Sequence, residues 1–227
     1  MSFARNIENL VVKSVLRAPS SVFESEMSTA SLSLTEQLRA ENVSIAQGLK
    51  RYDPELLDRL ILQYQHRLLR YLLFLTGNRE ISEDLFQETW MRVLTRGTQY
   101  NGAARFDTWL FTIARNLVID FRRKRTMASL EEMCESDGDE RPFEVPSNEP
   151  NPFDHYQSSE NAQLIAEALL TLEPLHREVL VLRFHEELSL EEISQVTRAP
   201  LSTVKSRLYR GLASLKPRMA AKALEAK

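Results

Sequence analysis

The chain has 227 residues, of which 43% are hydrophobic and 27% charged, with 6 Gly, 9 Pro and 1 Cys. This ordinary globular mix excludes wholesale disorder and a membrane-embedded chain, and so few glycines disfavour a many-turned β-sandwich or a glycine-looped nucleotide fold. The single Cys134 excludes an internal disulfide framework and a Cys-rich zinc module, and His66, His155, His176 and His185 share no short metal-ligand spacing, so neither metal nor other cofactor is expected.

The net charge of −3 conceals a segregation. From Arg105 to Thr126 six basic residues face two acids, for a net +4, and from Arg198 to Arg218 there are six basic residues and no acid. Between them, Met127 to Glu160 holds ten acids against Arg141 alone, for a net −9. Two basic segments flanking an acidic one point to a polyanionic partner that the whole-chain sum hides.

Residues 1–35 are Ser-rich and weakly periodic and read as a loose tail or a short extra helix. The longest early apolar run, Leu10 to Val12, is far short of the roughly 20 residues that span a bilayer. Arg5, Lys13 and Arg17 are offset by Glu8, Glu24 and Glu26, and Met27 offers an alternative start. No leader or membrane insertion is expected, and the location is expected to be cytoplasmic.

Residues 36–126 read as helices. In Asp84 to Leu94 the residues Leu85, Phe86, Trp90, Val93 and Leu94 share one side. Asp84, Gln87, Glu88 and Met91 share the other, an i, i+3, i+4, i+7 patch suited to docking on another helix. The loop Tyr100-Asn101-Gly102-Ala103-Ala104-Arg105 is short and polar enough to offer a pocket for an unstacked base. The helix from Phe106 to Arg125 is expected to bury Phe106, Leu110, Ile113, Ala114, Leu117 and Phe121. It should expose Thr108, Thr112, Arg115, Asn116, Ile119 and Arg123, and it ends in Arg122-Arg123-Lys124-Arg125, more cations than a helix dipole needs.

Residues 127–160 carry Pro142, Pro146, Pro150 and Pro152 and no sustained apolar period, and are expected to be a flexible acidic linker. Cys134 falls within it, where an acidic tether would raise a thiol pKa, so it reads as incidental rather than redox-active. Residues 161–219 return to helical patterns. Ser189-Leu190-Glu191-Glu192 is a capping box, flanked by Leu188 and Ile193 as a hydrophobic staple. It starts a short helix that runs out near Thr197, and Pro200 suits the first position of the next. That next helix places Leu201, Val204, Leu208, Leu212 and Leu215 on one stripe. Thr203, Ser206 and Arg210 lie opposite, flanked by Ser202, Lys205, Arg207 and Tyr209. A short helix, a tight turn and a longer helix with a basic, hydroxyl-rich outer face is a helix-turn-helix that enters the major groove. Residues 220–227 form a C-terminal tail. The fold class is therefore all-α: two small helical bundles joined by the linker.

Asp84-Leu85-Phe86-Gln87-Glu88-Thr89-Trp90 and Phe106-Asp107-Thr108-Trp109-Leu110-Phe111-Thr112-Ile113-Ala114-Arg115-Asn116 strongly resemble region 2 of the extracytoplasmic-function (ECF, group IV) sigma factors of bacterial RNA polymerase, of the sigma-70 family. Leu190-Glu191-Glu192-Ile193 through Ser202-Thr203-Val204-Lys205-Ser206-Arg207-Leu208-Tyr209-Arg210 resembles their region 4. The resemblance covers roughly 36–219. It implies that Asp84, Gln87, Glu88 and Met91 contact the β′ clamp helices of core polymerase, and that region 4 meets the β flap. It implies a −10 element bound and melted by Tyr100, Asn101, Arg105, Thr112, Arg115, Asn116, Arg122 and Arg123. It likewise implies a −35 element read by Arg198, Ser202, Thr203, Lys205, Ser206, Arg207, Tyr209 and Arg210. The linker would thread the polymerase RNA path, and an anti-sigma factor is a further expected partner.

Three departures stand out. Arg198 occupies a turn where the family commonly has a small or glycine residue. Asn101 and Ala103 replace frequent charged residues, so the −10 preference does not carry over. Residues 1–35 have no recognised counterpart. The alternative reading is a free-standing helix-turn-helix regulator, which has no reason for the Asp84/Gln87/Glu88 patch or a second basic helix. An enzyme would need a nucleophile, metal cluster or phosphate loop that the sequence lacks, so neither catalytic residues nor a small-molecule substrate are expected.

Overall fold

The computed structural model describes the backbone of residues 24–135 and 160–225, and the side chains of 36–127 and 165–217. The described residues form α1 (Glu24–Lys50), α2 (Pro54–Thr76), α3 (Arg79–Arg96), a 3-10 turn (Gly97–Gln99), α4 (Phe106–Glu135), α5 (Glu160–Leu170), α6 (Pro174–Phe184), α7 (Leu190–Thr197) and α8 (Leu201–Glu225). Helix α1 thus begins inside the expected tail, α4 and α5 reach into the expected linker, and α8 runs past 219. The remainder of the acidic stretch lies outside the described residues.

Local signals set the boundaries of the first bundle. Asp53 caps α2, its Oδ1 accepting from Glu55 N at 3.0 Å and Leu56 N at 3.3 Å, with Pro54 in the first turn where its missing N–H is harmless. The chain leaves α2 through Gly77, whose φ of 68° is the left-handed conformation of a helix C-terminus and whose N–H donates to Leu73 O at 2.9 Å. Asn78 then caps α3 by accepting from Ile81 N at 3.0 Å. Helices α2, α3 and α4 pack on one another, and α1 closes the bundle against α2 and the 3-10 turn.

The second bundle joins α6 to α8, with α5 and α7 on α8. Ser189 and Glu192 make the capping box in both directions: Ser189 Oγ accepts from Glu192 N at 3.1 Å and Glu192 Oε2 from Ser189 N at 2.8 Å. Leu188 and Ile193, the staple pair, are both fully buried. Pro200 sits one position earlier than expected, its carbonyl accepting from Val204 N at 3.0 Å, so it caps α8 rather than entering it.

Burial in α2 changes character along its length. It keeps a one-face spacing over Leu56, Leu60, Tyr64 and Leu68, then Tyr71 through Leu75 are buried without interruption. A helix buried all round is covered on all sides. The second cover is α6, where Glu178 through Leu182 are likewise buried in succession. Helix α4 in turn packs on α7. The two bundles lie against each other through α2–α6 and α4–α7.

Candidate nucleic-acid interface

On α3 the buried Leu85, Thr89, Trp90 and Val93 face the bundle, leaving Asp84, Gln87 and Glu88 exposed and Met91 55% exposed. The expected docking patch is therefore solvent-facing, with Glu88 held by an exposed ion pair to Arg92 at 2.9 Å. Leu94, expected on the buried side, is 37% exposed and borders the patch.

The loop before α4 is built from within. Tyr100 is 2% exposed; its hydroxyl donates to Ala104 O at 2.7 Å and to Asn42 Oδ1 at 3.2 Å, and its ring lies against Phe106 and Trp109. Burial raises its pKa, with Tyr64 and Asp107 adding to the rise, so it stays a neutral donor. Tyr100 thus acts as the strut of the loop, and its side chain is closed to a ligand. Asn42, on α1, also accepts from Phe106 N at 3.3 Å and is an organising residue that periodicity does not reveal. Asn101 is exposed and turns the loop by accepting from Ala103 N at 3.0 Å.

The basic face of α4 is not free. Arg115 is 13% exposed at its side chain and donates from Nε to Glu178 at 2.7 Å. The same Glu178 oxygen accepts from Tyr71 at 3.1 Å. Arg105 pairs with Asp107 at 2.6 Å and with Glu192 at 3.6 Å. Thr108, expected to be exposed, is 2% exposed because α4 is covered on this side. Thr112 is half-buried and its hydroxyl donates back to Thr108 O at 2.7 Å, while Asn116 is half-buried one turn on. Arg122 turns to the Leu75 carbonyl at the end of α2, where Arg177 also donates to Phe74 O at 2.9 Å. Both cations thereby satisfy a helix C-terminus. Arg123 stays at the surface in a loose pair with Asp120 at 3.3 Å.

Two further arginines of α2, missed by sequence reasoning, join this face. Arg67 donates from Nε to Glu186 at 2.7 Å, lies 3.7 Å from Asp107, and stacks over Tyr64 and Phe111 at 5.2 and 5.8 Å. Arg70 stands 3.5 Å from the other Glu186 oxygen. Burial alone would lower the Arg67 pKa; the Glu186 carboxylate turns the net shift upward and holds the guanidinium charged. The run Tyr71-Leu72-Leu73-Phe74-Leu75, apolar at every position, was the available signal for a second packing surface here.

On the helix-turn-helix, Val204 and Leu215 are buried and Leu201, Leu208 and Leu212 half-buried, as the stripe requires. Ser202, Lys205 and Arg210 are exposed, Tyr209 is 70% exposed, and Thr203, Ser206 and Arg207 line the side of the same face. A shallow cleft of about 360 Å³ joins Ser202, Thr203, Ser206, Arg207 and Arg210 to Glu173 and His176 at the start of α6. Arg198 holds the turn at φ 50°, the left-handed conformation that glycine would adopt without strain, and its side chain is exposed. Among the described residues no cluster of three His, Cys, Asp or Glu side chains could hold a metal ion, and no helix is long and apolar enough to cross a membrane.

An exposed acidic helix face, a strutted loop leading into a basic helix, and a basic helix-turn-helix stand in one chain in that order. Residues 60–127 match Sigma-70 region 2 and residues 168–216 match Sigma-70 region 4. The chain is 31% identical over 150 residues to the ECF RNA polymerase sigma factor SigL of Mycobacterium tuberculosis, covering 66% of this chain and 80% of that protein. The chain belongs to the ECF RNA polymerase sigma factors.

SigE of Mycolicibacterium smegmatis, another ECF sigma factor, is 37% identical over 163 residues, a match that spans 72% of this chain and 61% of SigE. The sigma factor RpoE of Bartonella quintana, solved with the anti-sigma factor NepR, shares the fold at a TM-score of 0.57 and 21% identity, covering 72% of this chain and 96% of RpoE. As a sigma factor the chain serves transcription initiation. Region 2 falls within its first bundle and region 4 within its second.

Proposed function

We propose that this chain is a group IV sigma subunit that joins core RNA polymerase, reads the −35 and −10 elements of a specialised promoter set and opens the DNA. The observation that carries the reading is the exposure of Asp84, Gln87, Glu88 and Met91 on a helix whose other side is buried, on the same chain as a helix-turn-helix that carries no acid from Arg198 to Arg218. The α3 patch docks on the β′ clamp helices and region 4 on the β flap. Asn101, Arg105, Thr112, Arg115, Asn116, Arg122 and Arg123 engage the −10 element, with the buried Tyr100 supporting them from within. Arg198, Ser202, Thr203, Lys205, Ser206, Arg207, Tyr209 and Arg210 engage the −35 element. Unstacking costs a few kcal/mol per extruded base, which capture beside the Asn101 loop offsets. The subunit works in the cytoplasm, catalyses nothing alone, and is held by an anti-sigma factor, a reading supported by the RpoE–NepR pairing of a structural neighbour.

Run-off transcription with purified core enzyme on a randomised promoter library tests this directly. The chain confers selection of particular start sites; random initiation refutes the proposal. In the same assay Asp84→Lys with Glu88→Lys abolishes association with core while helical content is unchanged, and intact association refutes the docking role. Arg210→Ala costs about 1–3 kcal/mol at one −35 position, and an equal loss on every sequence assigns it to phosphate instead.

A further inference from the structure

Two arginines expected to meet promoter DNA, Arg105 and Arg115, and two that stand beside them, Arg67 and Arg70, are paired with this chain's own carboxylates. Arg67, Arg70, Arg105 and Arg115 come from region 2; Glu178, Glu186 and Glu192 come from region 4. The pairs join residues as far apart in the chain as 119 positions, so they report how the two regions sit together rather than how either folds. Glu186 has a fully buried side chain, and its carboxylate pairs with Arg67 and Arg70. Nothing within region 4 requires a carboxylate there. A glutamate at the end of α6 is explained if its function is to meet the arginines of region 2.

We propose that region 4 closes over region 2 by presenting Glu178, Glu186 and Glu192 as stand-ins for DNA phosphates, so that closure and −10 DNA binding exclude one another. The inference rests on the sigma-factor reading above. Carboxylate and phosphate oxygens satisfy a guanidinium in the same way, so one arginine face serves either partner. The exclusion is direct at Arg115, which cannot keep its 2.7 Å contact with Glu178 and also reach a nucleotide.

The interface is also suited to release. Burying ion pairs sacrifices hydration that mutual attraction barely returns, so such contacts specify an arrangement more than they stabilise it. Arg70 Nε and Glu186 Oε1 are buried with no hydrogen-bond partner among the described residues, so this boundary is incompletely satisfied. A polyanion that offers these arginines better-hydrated oxygens therefore competes effectively. By linkage, apparent DNA affinity equals the affinity of the open form reduced by the open fraction.

The experiment uses the full-length chain with Cys134→Ser, donor and acceptor dyes on cysteines placed at the exposed Glu80 and Ser214, and a mixed-sequence single-stranded 12-mer as probe. The parent chain should show a compact FRET population that is depleted as the 12-mer is added. Glu178→Gln with Glu186→Gln should open the chain and tighten 12-mer binding, by about 10-fold if nine-tenths of the parent is closed. Charge exchange, Arg115→Glu with Glu178→Arg, should restore compaction relative to Arg115→Glu alone without restoring DNA binding. Unaltered FRET in the double glutamine variant overturns the inference, as does an opened chain with unaltered affinity. A far-UV melting curve confirms that each variant is folded. If Arg115→Ala in the opened background leaves 12-mer affinity unchanged, Arg115 is not a DNA contact; that result counts against the sigma-factor assignment of this face, independently of whether the chain closes.

Discussion

Gly102 is the position where backbone geometry and loop shape meet the proposed −10 contacts. Its φ is 76°, and a Cβ built there would stand 3.0 Å from Asn42 O, 3.1 Å from Asn42 C and 3.2 Å from Val43 Cα, all backbone atoms of α1. Gly102→Ala therefore has two separable costs. Holding an L-residue in the left-handed region costs about 1–2 kcal/mol. Loss of glycine's freedom in the unfolded chain offsets about 0.4–1 kcal/mol of that. Pushing a methyl into a helix backbone that cannot rotate away costs about 1–3 kcal/mol more, for a net near 3 kcal/mol. Gly77→Ala is the internal control. Its φ is 68°, yet nothing lies within 4 Å of the added Cβ, so it pays only the conformational part, under about 1.5 kcal/mol. In thermal unfolding the region 2 transition should fall by about 12–24 °C for Gly102→Ala, at about 4–8 °C per kcal/mol for a unit of this size, and by roughly a third as much for Gly77→Ala. The loop displaced by Gly102→Ala carries Asn101 and Arg105 away from the base pocket, so −10 DNA affinity falls as well. Gly77→Ala leaves it intact. Equal destabilisation by the two substitutions would refute the close approach of the loop to α1.

Other consequences are simpler to state. Ser189→Ala removes the acceptor of Glu192 N and half of the capping box, and should destabilise region 4 by about 1 kcal/mol in urea unfolding. Arg198→Gly releases the left-handed strain at φ 50° and should leave region 4 equally stable or up to about 1 kcal/mol more stable, while weakening DNA binding at every sequence if Arg198 contacts a phosphate. His185 is held near neutrality by burial and then by Arg70, its pKa pushed down to about 4 from the usual 6.5. A base with a depressed folded pKa stabilises the fold less as it protonates, so its contribution is full above about pH 6.5 and is lost as pH falls toward 4. Between pH 7 and pH 5 this amounts to about 2 kcal/mol, measured as the difference in urea midpoints between the parent and His185→Gln. A variant with the same acid sensitivity as the parent contradicts it.

Much of this protein was legible in its residues because the relevant signals are local. A capping box needs only Ser189 and Glu192, three positions apart; a helix stop needs Gly77; the stripe from Leu201 to Leu215 needs only a 3.6-residue period. The same period separated Asp84, Gln87, Glu88 and Met91 from the buried side of α3, and the structure keeps them outside. Local patterning failed where a second surface intervenes. Thr108 was expected in solvent and is buried, Arg115 was expected to be free and is paired, and Arg67 and Arg70 were not noticed. Helical periodicity divides a helix into an inside and an outside relative to its own bundle, and α2 and α4 each meet the other bundle as well.

Taken alone, the residue order determined two helical bundles, their caps and the polarity of their faces, because each depends on interactions within about one helical turn. Only the tertiary structure decided that Tyr100 is buried against Asn42, that Arg122 reaches the Leu75 carbonyl, that Asn42 anchors the loop, and that Glu178, Glu186 and Glu192 sit on the arginines of region 2. Those pairings close chain separations of 47 to 119 residues between groups whose own neighbourhoods look like ordinary solvated helix surface. A charge on such a surface carries no local mark of the partner that folding will bring to it.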